Sequence, residues 1–139
     1  MEVQVNYLAV VLAMASSMVI GMVWYAKSVF GSKWMKLVGM TDEKAKKGAG
    51  KAIGATIVVS LITAYVLAHV IFLSHSFFEN SFLFDALMTS FWMWLGFVAA
   101  RVITHDAFEQ RPMELTAMTI AHELVTLMTM GLIIGLLGV

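Results

Sequence analysis

Four long runs of apolar residues dominate this chain, at about residues 5–25, 52–73, 82–103 and 113–137. Each has the roughly 20 mostly apolar residues that a helix needs to cross a bilayer. Globular helices average three turns, so four such runs do not fit buried helices of a soluble domain. The pattern predicts an all-α fold, an integral membrane four-helix bundle forming one domain over residues 1–139.

The polar residues between the runs set an orientation. Lys27, Lys33, Lys36, Lys44, Lys46, Lys47 and Lys51 all follow the first run, and Arg101 and Arg111 close the third, which accounts for all nine basic residues. Residues 74–81 and both ends of the chain have none. Lysine and arginine collect on the cytoplasmic side of membrane proteins, so both termini are expected outside, an N-out/C-out topology. A bias of nine against zero argues against dual topology.

The first loop carries its own periodicity. Phe30, Trp34, Leu37 and Val38 share one helical face, with Ser32, Lys33 and Lys36 off it. A short helix in the membrane interface is expected, with Lys33, Lys36 and Trp34 at the lipid headgroups. Trp24 and Tyr25 fall where an aromatic belt belongs. Thr41 is placed to cap the next turn, where Asp42 and Glu43 suit the positive helix end. A solvated helix is then expected to lead through Gly48 and Gly50 into the second span.

In lipid, helices associate through small residues and buried polar contacts. Ala9, Ala13, Ser17 and Gly21 recur every fourth residue in the first run, a continuous small-residue ladder. Gly131 and Gly135 make a GxxxG match in the fourth, and Gly50 and Gly54 another near the second. Whether these faces pack within one chain or between chains is left open by the sequence. Met14, Met18 and Met22 form a neighbouring stripe. Thioethers so spaced suit a soft cation, but methionine also fills gaps, and this chain has twelve.

The fourth run holds the one polar seam. Thr116, Thr119, His122, Glu123, Thr126 and Thr129 fall within a roughly 140° arc at helical spacing. Ala117, Ala121, Leu124, Met128, Gly131 and Gly135 occupy the other side. Glu123 falls about 15 Å along its helix, near mid-bilayer by that count. An ionised carboxylate there costs roughly 2.5–3.5 kcal/mol even on the lenient insertion scale. It is expected either to stay neutral or to meet a basic partner, for which Arg101 and His69 are distant candidates and His122 points roughly 100° away. Glu123, His122, Thr119, Thr126 and Thr116 are therefore the candidates for a binding site or pathway. The competing reading is a neutral Glu123 that only holds helices together.

Other polar residues have plainer explanations. Thr126 stands where a zinc-protease motif beginning at His122 needs its second histidine, so no metal site is expected there. His105, Asp106 and Glu109 read as a solvated turn, His69 and His75 as hydrogen-bonding groups, and Asp85 as an acid in the first turn of a helix.

Composition narrows the classes. The chain is 60% apolar and 13% charged, far from a soluble domain's balance. Its formal net charge is zero, which argues against nucleic acid as a partner. With no cysteine there is no disulfide, thiolate metal site or thiol chemistry. Residues 1–11 lack a basic stretch, so a cleaved signal peptide is not expected.

Several short stretches carry a resemblance. Asn6-Tyr7-Leu8-Ala9-Val10, Gly21-Met22-Val23-Trp24-Tyr25, Phe30-Gly31-Ser32-Lys33-Trp34-Met35 and Trp94-Leu95-Gly96-Phe97 are similar to segments of a family of small bacterial four-helix membrane proteins known as domain of unknown function 1761. The family often has Ser-Pro after Trp-Tyr, where this chain has Ala26-Lys27. The resemblance implies a bacterial inner membrane and no particular activity.

Three functions compete. An oligomeric transporter or channel for a small solute or ion is favoured by the seam, since transporter sites lie between membrane helices. Its second copy is invoked because four helices enclose little volume. A non-catalytic accessory protein binding lipid or a membrane partner is favoured by the small-residue faces and the basic loop. An enzyme is not expected: Asp106, Glu109 and Glu114 are the only carboxylate cluster, and no nucleophile accompanies them. No cofactor is expected, and the expected partners are the lipid bilayer and further copies of the chain. Gly21-Met22-Val23 and Gly96-Phe97-Val98 hint at a two-plus-two repeat.

Overall fold

The computed structural model describes residues 3–138 and is all-helical over them. Helix α1 spans Tyr7–Trp24, α2 Gly31–Val38, α3 Asp42–Phe78, α4 Phe82–Phe108 and α5 Met113–Leu137. All but α2 are long and apolar enough to cross a membrane.

Capping fixes where these helices begin. The Asn6 side chain accepts from the Ala9 amide, so α1 starts two residues later than its apolar run. Its amide nitrogen also donates to the carbonyl of Leu137 at 3.3 Å, tying the start of α1 to the end of α5. Thr41 caps α3 through the Lys44 amide, as its position predicts.

The helix α2 is present where the aromatic periodicity places it. Gly31 starts it with its backbone folded onto the preceding turn, where an added Cβ would lie 2.1 Å from the Tyr25 carbonyl oxygen. Gly39 ends it in the left-handed region at φ 66°. Trp34 packs its ring edge-on against Tyr25. Lys33 is not free for headgroups alone, because its ammonium lies 3.4 Å from Glu114 on α5; Lys36 is exposed. Lys27 and Asp42 pair at 2.6 Å across the flanks of α2, and that hydrogen bond and charge hold the Asp42 carboxyl below its usual range.

The second span continues the helix expected to lead into it, whereas the third departs from the sequence reading. The second span lies inside one unbroken helix of 37 residues, about 55 Å long, that passes through Gly48 and Gly50. Glycine costs only about 1 kcal/mol in a helix interior, and the surrounding lysines and alanines favour helix. The third span runs on to Phe108 and is interrupted by a π-helical turn at Trp94–Ala99. There Trp94 donates its indole N–H to the carbonyl of Ile120 on α5 at 3.0 Å.

Helix α5 is central. Ala9, Ala13 and Ser17 of the α1 ladder are buried, and Gly21 continues it toward His122. On its other side Gly131 meets Ser90, and Gly135 meets Leu83 and Ala86, all on α4. The GxxxG face is thus occupied within the chain. In the second half of α5 the exposed residues are Val125, Leu132, Leu136 and Leu137. Gly50 and Gly54, by contrast, face open space.

The helix α3 joins this core along part of its length. Ser60, Ala64, Leu67, Ala68 and Ile71 are its buried residues, while every residue from 46 to 59 is exposed. Its lysine-rich half therefore stands away from α5.

Candidate functional site

The gap left by α3 is the site. A cavity of about 920 Å³ lies between α3 and the face formed by α1, the π turn of α4 and α5. It is half open to the exterior along the exposed part of α3. Its walls are mostly apolar, with Met18 and Met22 from α1, Ile53 from α3 and Phe97 from α4 among them. The π turn carries Phe97 and Val98 to the wall; such turns often occur at functional sites.

One carboxylate enters this cavity. Glu123 lines it together with His122 and Thr126, and 37% of the Glu123 side chain is exposed. Its Oε1 lies 3.2 Å from His122 Nδ1. Adjacent residues on a helix diverge at Cβ, but the longer glutamate side chain reaches back to the imidazole. The basic partner is thus the neighbour that helical geometry had pointed away. Arg101 and His69 are not involved: Arg101 borders a separate shallow pocket with His105 and Glu109, and His69 bonds to the Tyr65 carbonyl at 2.9 Å.

The other imidazole nitrogen, Nε2, faces Gly21 on α1. That Nε2 atom is buried without a hydrogen-bond partner among the described residues, as are Trp24 Nε1 and Thr126 Oγ1. Buried polar atoms are ordinarily bonded to protein or to a bound molecule. These three lie on or beside one wall, since the Trp24 and Tyr25 rings sit 5.7 and 5.2 Å from the His122 ring.

The predicted seam divides in two. His122, Glu123 and Thr126 reach the cavity. Thr116 does not; it is buried and donates to Asp106 Oδ2 at 2.7 Å. Thr119 bonds to the Leu115 carbonyl within its own helix. Asp106 is accordingly no member of a solvated turn, being only 7% exposed, although His105 and Glu109 beside it are exposed. Asp85 is also more than a helix-end acid, accepting from His75 and Asn80, each at 2.9 Å.

Glu123 is near the middle of α5, yet its neighbour His122 packs beside Trp24 and Tyr25, where α1 ends. The pair lies toward the lysine-rich end because the first turns of α5 extend beyond α1 to pack on the end of α4 through Thr116 and Asp106.

Helices and site together define a small all-helical membrane protein with a histidine–glutamate pair on the wall of a largely apolar cavity. The family model described as protein of unknown function (DUF1761) matches residues 8–135, and the chain belongs to that family. No curated protein and no solved structure matches the chain.

Proposed function

We propose that this protein is a multi-pass transporter for a small solute, with Glu123 as the group that exchanges a proton for the solute. In this reading four helices form a bundle in a bacterial inner membrane, and both termini lie outside. The observation that carries it is a carboxylate hydrogen-bonded to an imidazole and opening into a cavity of about 920 Å³. That volume is at the upper end of ordinary small-molecule pockets. A proton and a polar solute group would compete for Glu123, which is the basis of exchange.

The cavity is lined by a single chain, so the reading does not need a second copy to create the binding space. A homo-oligomer remains part of the proposal as the means of closing the open side of α3. No enzyme activity is proposed.

The test is flux in proteoliposomes. With an imposed pH gradient, wild-type protein is expected to give solute-dependent proton movement across a panel of small solutes. Glu123→Gln, folded as judged by its elution and unfolding profile, is expected to abolish it. Equal proton movement in wild type and Glu123→Gln would remove Glu123 from the mechanism.

An accessory, lipid-binding role is the second reading, favoured by the apolar walls of the cavity and its lateral opening. It expects a co-purifying lipid and no flux. Anionic-lipid binding that survives neutralisation of Lys33, Lys36, Lys46 and Lys47 would count against the loop as its headgroup site.

A further inference from the structure

We infer that the ligand of this cavity is an amphipathic cation, a molecule with one positively charged amine-like or onium head and an apolar body. This inference deepens the transport reading and rests on it for its physiological meaning, but the binding chemistry stands on the cavity itself.

Charge is the first argument. Among the described residues, Glu123 is the only charged residue on the cavity wall besides the titratable His122, and no lysine or arginine lines it. Lys47 and Lys51 belong to α3 but do not line the cavity. An anionic ligand would meet the carboxylate with no cation to offset it, whereas a cationic head gains an ion pair where apolar walls limit screening.

The second argument is the surface around that carboxylate. Tyr25 lines the cavity and packs beside His122, one residue from Glu123. An aromatic face next to a carboxylate suits an onium group, which is attracted to the ring quadrupole as well as to the negative charge. Further along the wall come Phe97 and the thioethers of Met18, Met22, Met93 and Met130. Methionine side chains adapt to ligands of differing shape and favour aromatic contact.

The third argument is the buried Thr126 hydroxyl. It lines the cavity, is 7% exposed and lacks a hydrogen-bond partner among the described residues. It lies three residues from Glu123, on the same side of α5. An N–H of a protonated amine held at Glu123 supplies the donor that Thr126 Oγ1 can accept.

Tetraphenylphosphonium and tetraphenylborate provide the test, because they share size and shape and differ in charge. Each is radiolabelled and dialysed to equilibrium against the purified full-length protein in detergent, with protein-free micelles subtracted. The cation is expected to bind at least about tenfold more tightly than the anion, a difference of roughly 1.4 kcal/mol. Glu123→Gln is expected to lose most cation binding, and Glu123→Asp to retain part of it. Equal binding of the two ions by wild type would overturn the inference without recourse to any variant.

The outcomes separate this inference from the transport reading. Charge-selective binding without proton flux leaves the ligand class standing and removes transport. Glu123-dependent flux of neutral solutes with no cation binding does the reverse.

Discussion

Asp106 on α4 accepts a 2.7 Å hydrogen bond from the hydroxyl of Thr116 on α5, and both residues are buried. Arg111 closes the same turn, its amide donating to the Asp106 carbonyl at 2.9 Å while its guanidinium lies 3.7 Å from the Asp106 carboxylate. This clasp holds the last two long helices together at the lysine-rich end and sets how far α5 extends past α1. Removing the donor leaves a buried carboxylate oxygen unsatisfied, so Thr116→Val is expected to destabilise the protein by about 1–3 kcal/mol. Adding Thr116→Val to Asp106→Ala is expected to cost much less than it does alone, because the partner has already gone. Unfolding in detergent across the four proteins of this cycle measures the coupling.

The contact of Gly131 with Ser90 gives a second expectation. A Cβ on Gly131 would lie 2.0 Å from Ser90 Oγ and 3.1 Å from the Ala86 carbonyl oxygen. Gly131→Ala must push α4 and α5 apart and is expected to destabilise by about 1–3 kcal/mol. Gly54→Ala on α3 meets nothing within 4 Å, and is expected to be neutral or to stabilise by up to about 1 kcal/mol through helix propensity. Thermal unfolding of the two variants distinguishes a packed glycine from an unpartnered one.

Gly31 shows the same contrast in a turn. Its missing Cβ makes room for the Tyr25 carbonyl, a backbone group that cannot swing aside. Gly31→Ala is expected to displace α2 from the end of α1 and to lose about 1–3 kcal/mol. Loss of the Trp34–Tyr25 ring contact should appear as a changed tryptophan emission spectrum. An unaltered spectrum and unfolding temperature would show that the turn tolerates a side chain.

Trp94 ties the π turn to α5 just before the His122–Glu123 pair. Trp94→Phe keeps an aromatic ring but removes the hydrogen bond to Ile120 and part of the indole volume packed on the core, so a loss of about 1–3 kcal/mol is expected. Hydrogen exchange read by mass spectrometry is expected to rise in residues 94–99 and 120–124, and a rise confined to other segments would contradict the assignment.

Much of this architecture could be read from the chain because its signals are strong and local. The four apolar runs, the amphipathic face through Trp34, the Thr41 cap and the small-residue ladder at Ala9, Ala13 and Ser17 all reappear in the structure. The features that escaped reading depend on relations between helices. Nothing in Trp94-Leu95-Gly96-Phe97 marks a π turn, since it adds a residue without changing the apolar composition. Gly48 and Gly50 weaken a helix but do not stop one, and the solvated helix expected to lead through them is continuous with the second span in α3. Asp106 reads as a surface acid until Thr116 is brought against it.

The site was legible in part for the same reason. Helical spacing gathers Glu123, His122 and Thr126 into one arc, and that arc does face the cavity. Spacing carries no information on how far α3 stands from α5, and the cavity is that distance. It likewise directs His122 away from Glu123, because Cβ directions ignore the reach of a longer side chain.

Ligand binding in the cavity requires Glu123 to be reachable from an apolar phase while the buried acids Asp85 and Asp106 are not. Dicyclohexylcarbodiimide, an apolar reagent for carboxyl groups, tests this in detergent or membranes when its adducts are mapped by peptide mass spectrometry. Glu123, with 37% of its side chain exposed, is expected to be modified, whereas Asp85 at 3% and Asp106 at 10% are expected to be spared. Modification at Asp85 and Asp106 with Glu123 untouched would contradict the cavity and everything built on it.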